Sequence, residues 1–159
     1  MWKVAASSDV LVEGGRLHTC VEGRYITLFR HGGLSCIDSI CHHAGGPLTA
    51  GPLQDIEDLQ ITVVLCPWHR WMVDIASGRK AYQAIDVSSG GQPVNTGWRL
   101  GKVTQRVHQV KEDSTGLYVI MNCDSEPCAS DKDACSEPCA GGLSPPLSAF
   151  VPVPVEREC

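Results

Sequence analysis

Short apolar stretches separated by glycine-containing turns recur along the first 120 residues of the chain. Most of these stretches are rich in Val, Ile, Leu and Thr, the composition expected of strands. No window of twelve or more residues repeats its apolar positions with a helical period. The pattern predicts strands at residues 16–21, 25–30, 34–38, 61–65, 71–75, 102–111 and 117–121. We therefore expect an all-β fold, an antiparallel β-sandwich of two or three small sheets.

Turn signals refine this expectation at three places. Glu22, Gly23 and Arg24 separate two predicted strands and indicate a tight hairpin. Residues 113–116 predict a second hairpin, which joins the last two strands. Residues 90–97 are rich in Gly, Pro and Asn and predict a flexible loop.

Composition and charge indicate that the 159-residue chain, 43% of it hydrophobic, forms one domain followed by an acidic tail. Residues 1–122 contain 11 basic and 11 acidic residues, whereas residues 123–159 contain 2 and 7, which accounts for the net charge of −5. A neutral body offers no electrostatic footprint for nucleic acid. No segment approaches the roughly 20 apolar residues of a membrane span, and the N-terminus does not read as a secretory signal. We expect a cytoplasmic protein that contacts no membrane, with an organelle left open.

Residues 123–159 differ from the body in composition. They are rich in Cys, Pro and acidic residues, and the sequence Ser-Glu-Pro-Cys-Ala occurs twice, at residues 125–129 and 136–140. This composition predicts an irregular, flexible tail outside the domain at residues 1–122. Cysteines at positions 123, 128, 135 and 139 leave a second thiolate site as an alternative. The nine cysteines as a set predict metal ligation and reduced thiols, not a disulfide framework.

Two predicted loops each carry a cysteine followed by a histidine. Cys41 precedes His43 with one residue between them, and Cys66 precedes His69 with two between them. Two thiolates and two imidazoles are the ligands of a Rieske-type [2Fe–2S] centre, in which two Cys bind one iron and two His the other. Structural zinc uses the same residue types and is the rival interpretation, although zinc fingers usually present two Cys before two His. Because His42 and His43 are adjacent, the spacing alone leaves the ligand of the first pair open.

The sequence around both pairs resembles a known family. Cys-His-His-Ala-Gly-Gly-Pro-Leu at residues 41–48 is similar to the first ligand loop of Rieske ferredoxin-type domains. Cys-Pro-Trp-His at residues 66–69, followed by Trp71 and Asp74, is similar to the second loop. Residues 55–58, 78–79, 82–83 and 102–108 resemble the small soluble Rieske domain-containing protein of animals. The likeness extends from about residue 3 to residue 121.

The resemblance implies one Rieske [2Fe–2S] cluster, in a small cluster-binding subdomain at one tip of the sandwich. It places the ligands at Cys41, His43, Cys66 and His69, with the loops at about residues 39–50 and 64–72. The residues expected around these ligands are Gly45, Gly46, Pro47, Pro67, Trp68 and Trp71. We expect the glycine amides to approach the sulfides of the cluster and the two tryptophans to shield it from water.

The same comparison predicts a low reduction potential. Gly46 and Trp68 stand where high-potential relatives have a bracing disulfide. Trp71 and Val73 stand where those relatives have hydroxyl donors to the cluster. Because hydrogen bonds to the sulfurs raise the potential of a cluster, fewer donors predict a value at the low end of the family range.

These features favour an electron-transfer protein that is not itself an enzyme. Apart from His43 and His69, the histidines form no recognisable motif of two His and one carboxylate for catalytic non-haem iron. We expect a soluble one-electron carrier, a monomer that meets redox protein partners. The alternatives are an iron–sulfur redox sensor or regulatory module, and a small electron-transfer subunit of a multi-component oxygenase or reductase.

Overall fold

The computed structural model describes residues 1–87 and 90–136. They form eleven strands and three single turns of 3₁₀ helix, at Leu48–Ala50, Glu57–Leu59 and Ala129–Lys132. The strands are β1 (Lys3–Ala6), β2 (Arg16–Val21), β3 (Arg24–Arg30), β4 (Leu34–Asp38), β5 (Leu53–Ile56), β6 (Ile61–Leu65), β7 (Met72–Asp74), β8 (Arg79–Asp86), β9 (Val94–Val103), β10 (Gln109–Asp113) and β11 (Gly116–Ile120). None of the helical turns in these residues is long or apolar enough to cross a membrane.

All strand pairs within the three sheets are antiparallel, which confirms the predicted all-β class. Strands β2, β3 and β4 form one meander, and β1, β11 and β10 form a second sheet in that order. The third sheet orders β5 to β9 consecutively. The hairpin predicted between β2 and β3 is present. Its turn residues Glu22 and Gly23 have φ values of 52° and 80°, as a two-residue hairpin turn requires.

The sequence prediction was wrong for the chain between β8 and β10. Residues 102–111 do not form one strand, because β9 ends at Val103 and β10 begins at Gln109. The intervening residues 104–106 and 108 are buried and polar, and they run behind the first ligand loop. Residues 94–97, expected in a loop, belong to β9, which pairs with β8 in a long hairpin. The polar, exposed composition of this hairpin concealed its strands.

Separate apolar cores lie beneath the sheets. One fills the space between the β2–β4 meander and the β1–β11 pair, with Leu17, Ile26, Leu28, Leu117 and Val119 at its centre. Another joins the meander to the five-stranded sheet. Its members include Phe29, Ile37, Leu48, Val64 and Val73, together with Cys41 and Cys66. The two candidate cysteine ligands are therefore part of the core that holds the cluster-binding subdomain to the body.

The described part of the expected tail packs against the body. Residues 123–136 include the 3₁₀ turn Ala129–Lys132, and Ser130 and Ala134 are fully buried. The carbonyl oxygen of Ala134 accepts a hydrogen bond from the amide of Tyr25 at 2.9 Å. Residues 137–159 lie outside the described residues. The expectation of reduced thiols throughout was wrong in one respect, because Cys20 is disulfide-bonded.

Candidate metal centre

The first candidate loop connects β4 to the 3₁₀ turn Leu48–Ala50. The amide of Cys41 donates to the carbonyl oxygen of Gly46 at 2.8 Å, and the amide of Gly45 donates to that of Cys41 at 3.0 Å. Gly45 has a φ of 77°, which lets the chain reverse within this short loop. We expected the glycine amides to approach the sulfides of the cluster. The Gly45 amide instead closes the turn by its hydrogen bond to Cys41.

The second loop, between β6 and β7, repeats this backbone arrangement. The amide of Cys66 donates to the carbonyl oxygen of Trp71 at 2.8 Å, and the amide of Arg70 donates to that of Cys66 at 2.8 Å. Arg70 takes the place of the reversing glycine and has a φ of 59°, which is uncommon for a residue with a side chain. The two loops thus present their cysteines from equivalent positions.

The Cys41 and Cys66 side chains meet in the interior. Both residues are almost completely buried, and a side-chain hydrogen bond joins their sulfurs. This bond, together with amides of Trp68 and His69, lowers the pKa of Cys66 to about 6 despite burial. The same bond raises the pKa of Cys41, whereas a hydrogen bond from the backbone amide of His43 lowers it by less. Because iron binds thiolates, the backbone amides that donate to Cys41 and to Cys66 favour the charged form of each sulfur that a metal requires.

The His43 and His69 side chains meet at the surface beside this sulfur pair. Their ring centroids are 4.8 Å apart, with the ring planes at 88° to each other, and both residues are exposed. The neighbouring His42 instead points its ring at the edge of Trp71, with centroids 5.2 Å apart. Its Nδ1 is buried without a hydrogen-bond partner among the described residues. The geometry therefore pairs His43, not His42, with His69.

The donors thus separate into a buried sulfur pair and an exposed nitrogen pair. Among residues 1–87 and 90–136, no group of three or more His, Cys, Asp or Glu side chains is arranged around a single metal ion. Two sulfurs on one side and two imidazoles on the other fit a [2Fe–2S] unit, whose two irons need one pair each. For the suggested tail site, Cys123, Cys128 and Cys135 are free thiols in the structure, and Cys139 lies outside the described residues.

The residues expected around the ligands are all close to the loops. The bridge between Pro47 and Ile40 closes the base of the first loop, and Pro67 is exposed between the second pair of ligands. The Trp71 ring lies 5.0 Å from that of His43 and is partly buried. Trp68 is 46% exposed, so it covers the site only on its inner side, where it faces Gly46.

Gly46 is required at its position by close packing. A Cβ there would lie 2.6 Å from the Cys66 sulfur and 3.1 Å from the Trp68 ring. We expect Gly46→Ala to lose about 1–3 kcal/mol of stability and to purify with less iron per chain than the wild type. The matched control is Gly33→Ala, because a Cβ at Gly33 meets nothing within 4 Å. Equal iron content in the two variants would contradict the packing argument.

A buried amide that sequence analysis missed holds the first loop in place. Gln105 is fully buried, and its Nε2 donates to the carbonyl oxygens of Asp38 at 3.0 Å and Ile40 at 2.7 Å. Its Oε1 accepts from the amide of His42 at 3.1 Å. One side chain therefore fixes three backbone groups of the segment that carries Cys41. No local pattern marks Gln105, since its partners lie more than 60 residues away in the chain.

A buried charged network lies behind the same loop. The Asp38 carboxylate is fully buried and accepts two hydrogen bonds from Arg24, each 2.6 Å long, one from His108 Nε2 at 3.0 Å, and one from Ser130. Burial raises the pKa of Asp38, but these donors more than offset it, so the net shift is downward. Asp38 is three residues before Cys41, which connects the network directly to the ligand loop.

The packed part of the tail joins this network through Asp131. Its carboxylate accepts from Arg106 Nε at 2.7 Å and Nη2 at 2.5 Å, and from Arg24 Nη2 at 2.5 Å. The hydrogen bonds from Arg106 are the main reason why the pKa of Asp131 is well below its usual value. The next residue, Lys132, places its Nζ 3.3 Å from the carbonyl oxygen of His43, with Asp133 at 3.9 Å. Residues 123–136 thus contact the first ligand loop directly.

Comparison with known proteins agrees with this geometry. The human Rieske domain-containing protein is 29% identical over 124 residues, 77% of this chain and 76% of that protein. The ferredoxin of carbazole 1,9a-dioxygenase from Nocardioides aromaticivorans is similar in fold, with a TM-score of 0.52 at 23% identity over 74% of this chain and 95% of that one. A structure described as the small subunit of an NADH-dependent nitrite reductase from Mycobacterium tuberculosis has a TM-score of 0.55 at 14% identity, covering 75% and 93%. The family model for soluble Rieske-type ferredoxins matches residues 4–124, and the chain belongs to this family, whose cofactor is a Rieske [2Fe–2S] cluster.

Proposed function

We propose that the chain is a low-potential one-electron carrier whose cluster is bound by Cys41 and Cys66 on one iron and by His43 and His69 on the other. The observation that carries this proposal is the separation of the donors into a buried sulfur pair and an exposed imidazole pair 4.8 Å apart. The cluster supplies the one-electron chemistry when it is bound. The protein holds the ligands and leaves one edge open to a partner.

The exposed imidazoles define the route by which electrons enter and leave. His43 and His69 are exposed, whereas both cysteines lie in the apolar core. Because the core insulates the sulfur side, a partner approaches the metal most closely over the two histidine rings. The described residues thus support exchange of electrons with a second protein at this edge.

The lack of hydroxyl donors around the sulfurs supports a low reduction potential. The sulfurs of Cys41 and Cys66 accept hydrogen bonds from backbone amides of His43, Trp68 and His69. Hydroxyl groups are missing from the two positions, occupied here by Trp71 and Val73, where high-potential relatives have them. Fewer donors leave the extra electron of the reduced cluster less stabilised.

We expect the reduction potential to fall in the lower part of the range of about −150 to +300 mV that Rieske centres span. A spectroelectrochemical titration of the purified protein, carried out in both directions, measures it. Protein stripped of iron serves as the control and should show no transition. A midpoint above about +150 mV, within that family range, would contradict the low-potential assignment.

The alternative of a small subunit in a multi-component oxygenase or reductase uses the same electron-transfer chemistry. Two relatives favour it: a dioxygenase ferredoxin, and a structure described as a nitrite reductase small subunit. Purification of the chain from its own cells distinguishes the two. A flavin or non-haem iron protein that remains bound in fixed proportion indicates a subunit, whereas a chain that purifies alone and is reduced by a separate protein is a carrier.

A further inference from the structure

A groove of about 380 Å³ opens directly beside the candidate ligand His69. It lies between the second ligand loop and the β8–β9 hairpin. The residues that line it include three aromatic side chains, Trp71, Tyr82 and Trp98, and two cations, Arg70 and Lys80. The groove is therefore continuous with the exposed imidazole edge.

Packing holds Lys80 across the groove. Its Nζ is 5.6 Å from the centre of the Trp71 ring and 5.8 Å from that of Tyr82. Its aliphatic part lies flat on β9, where a Cβ at Gly101 would come within 2.6 Å of the Lys80 Cε. Contacts with aromatic faces restrain the ammonium group, so less conformational freedom is lost when it binds a partner.

The charge of the groove is opposite to that of the whole chain. No Asp or Glu is among the residues that line it, and within the described part of the chain neither Arg70 nor Lys80 has a carboxylate partner within 4 Å. The chain as a whole carries a net charge of −5. Two unpaired cations beside aromatic rings form a local positive surface at the point where electrons are exchanged.

We propose that this groove binds an acidic segment of the protein that exchanges electrons with the cluster. Arg70 and Lys80 bind carboxylates of that segment, and an apolar side chain packs on Trp71, Tyr82 and Trp98. Complementary charge speeds encounter and fixes orientation, and Trp, Tyr and Arg are the residues that most often dominate binding energy at interfaces. The identification of the partner as a redox protein rests on the proposed function, whereas binding of an acidic segment does not.

A peptide-binding experiment tests this proposal. The probe is a fluorescein-labelled ten-residue peptide of glutamates with one central phenylalanine, titrated with the iron-loaded full chain and followed by fluorescence anisotropy. We expect Lys80→Gln and Arg70→Asn each to weaken binding about two- to fivefold and the double variant to weaken it about tenfold. Asn is chosen at position 70 because it tolerates positive φ better than most residues.

The matched control is Lys111→Gln. The Lys111 Nζ also lies over two aromatic rings, 4.9 Å from that of Trp2 and 5.2 Å from that of Tyr118, but on the sheet of β1, β10 and β11. This variant should bind the peptide as the wild type does. The visible spectrum of each variant shows that the cluster and the surrounding loops are intact.

Four outcomes would overturn the proposal. They are unchanged binding by the double variant, equal weakening by Lys111→Gln, equal or tighter binding of a matched lysine peptide, and equal competition by free acetate at the same carboxylate concentration. The electron-carrier proposal is tested separately, by reversible reduction of the cluster. If the protein binds the peptide but its cluster is not reversibly reduced, the docking site stands and the carrier function fails. If the cluster is reversibly reduced but the peptide does not bind, the carrier function stands and the docking site fails.

Discussion

Replacement of His69 by alanine is expected to remove nearly all of the iron and visible colour from the purified protein. The imidazole pair of His43 and His69 is the only nitrogen pair that the geometry places together beside the sulfurs within the described residues. Losing one imidazole leaves an iron with an incomplete ligand set, because each iron of a Rieske centre takes two protein ligands. Iron per chain and the visible absorption spectrum measure the result, and His43→Ala should behave in the same way.

The adjacent histidine provides the control for this experiment. His42 has the same side chain one residue away, but its Nδ1 is buried, and it is the His43 ring that meets the His69 ring. His42→Ala should therefore retain its iron and its spectrum. If His42→Ala lost the cluster while His43→Ala kept it, the ligand in the first loop would be His42. If both His43→Ala and His69→Ala kept iron and colour, the mixed-ligand cluster would be ruled out.

Asp38→Asn is expected to destabilise the protein by about 3–5 kcal/mol, the usual cost of removing one partner of a buried ion pair. The substitution keeps the size of the side chain but removes the charge that Arg24 and His108 face in the interior. Urea unfolding followed by far-ultraviolet circular dichroism measures the change. Asp55→Asn is the control, because its pair with His31 is exposed to solvent and should contribute little to stability. Equal effects in the two variants would contradict the role of the network.

The same carboxylate makes stability dependent on pH. Because the folded pKa of Asp38 is below its unfolded value of about 3.9, its contribution is complete above that value. The contribution is lost as the pH falls below about 3.9 toward the folded pKa. The free energy of unfolding of the wild type should therefore fall steeply in this acid range. Asp38→Asn should show a shallower fall, and parallel curves would contradict the assignment.

Much of the fold could be predicted from local sequence. The strands β2 and β3 and their hairpin follow from alternating apolar runs around Glu22-Gly23, and β6 follows from a continuous apolar run. The sequence did not predict β8 and β9. Most of their side chains are exposed, so their sequences lack the alternation of apolar and polar positions that marks a half-buried strand. The buried segment at residues 104–106 was mistaken for a strand, because the chain there is fixed by Gln105 and Arg106 contacts and not by a ladder.

For the candidate site, the sequence by itself determined the chemical types of the ligands and the turns that carry them. Each loop carries its own Cys and His, two residues apart in the first loop and three in the second, and glycines follow the first pair. These features lie within short segments, so they can be recognised from the sequence. Only the tertiary structure decided that His43 faces His69, that Gln105 fixes the first loop, and that Asp131 attaches residues 123–136 to the body. These contacts join residues that are 25 or more positions apart in the chain, as in Arg106 with Asp131 and Ile40 with Gln105. No recognisable spacing in the sequence marks such pairs, because the packing of the sheets brings them together and the local chain does not.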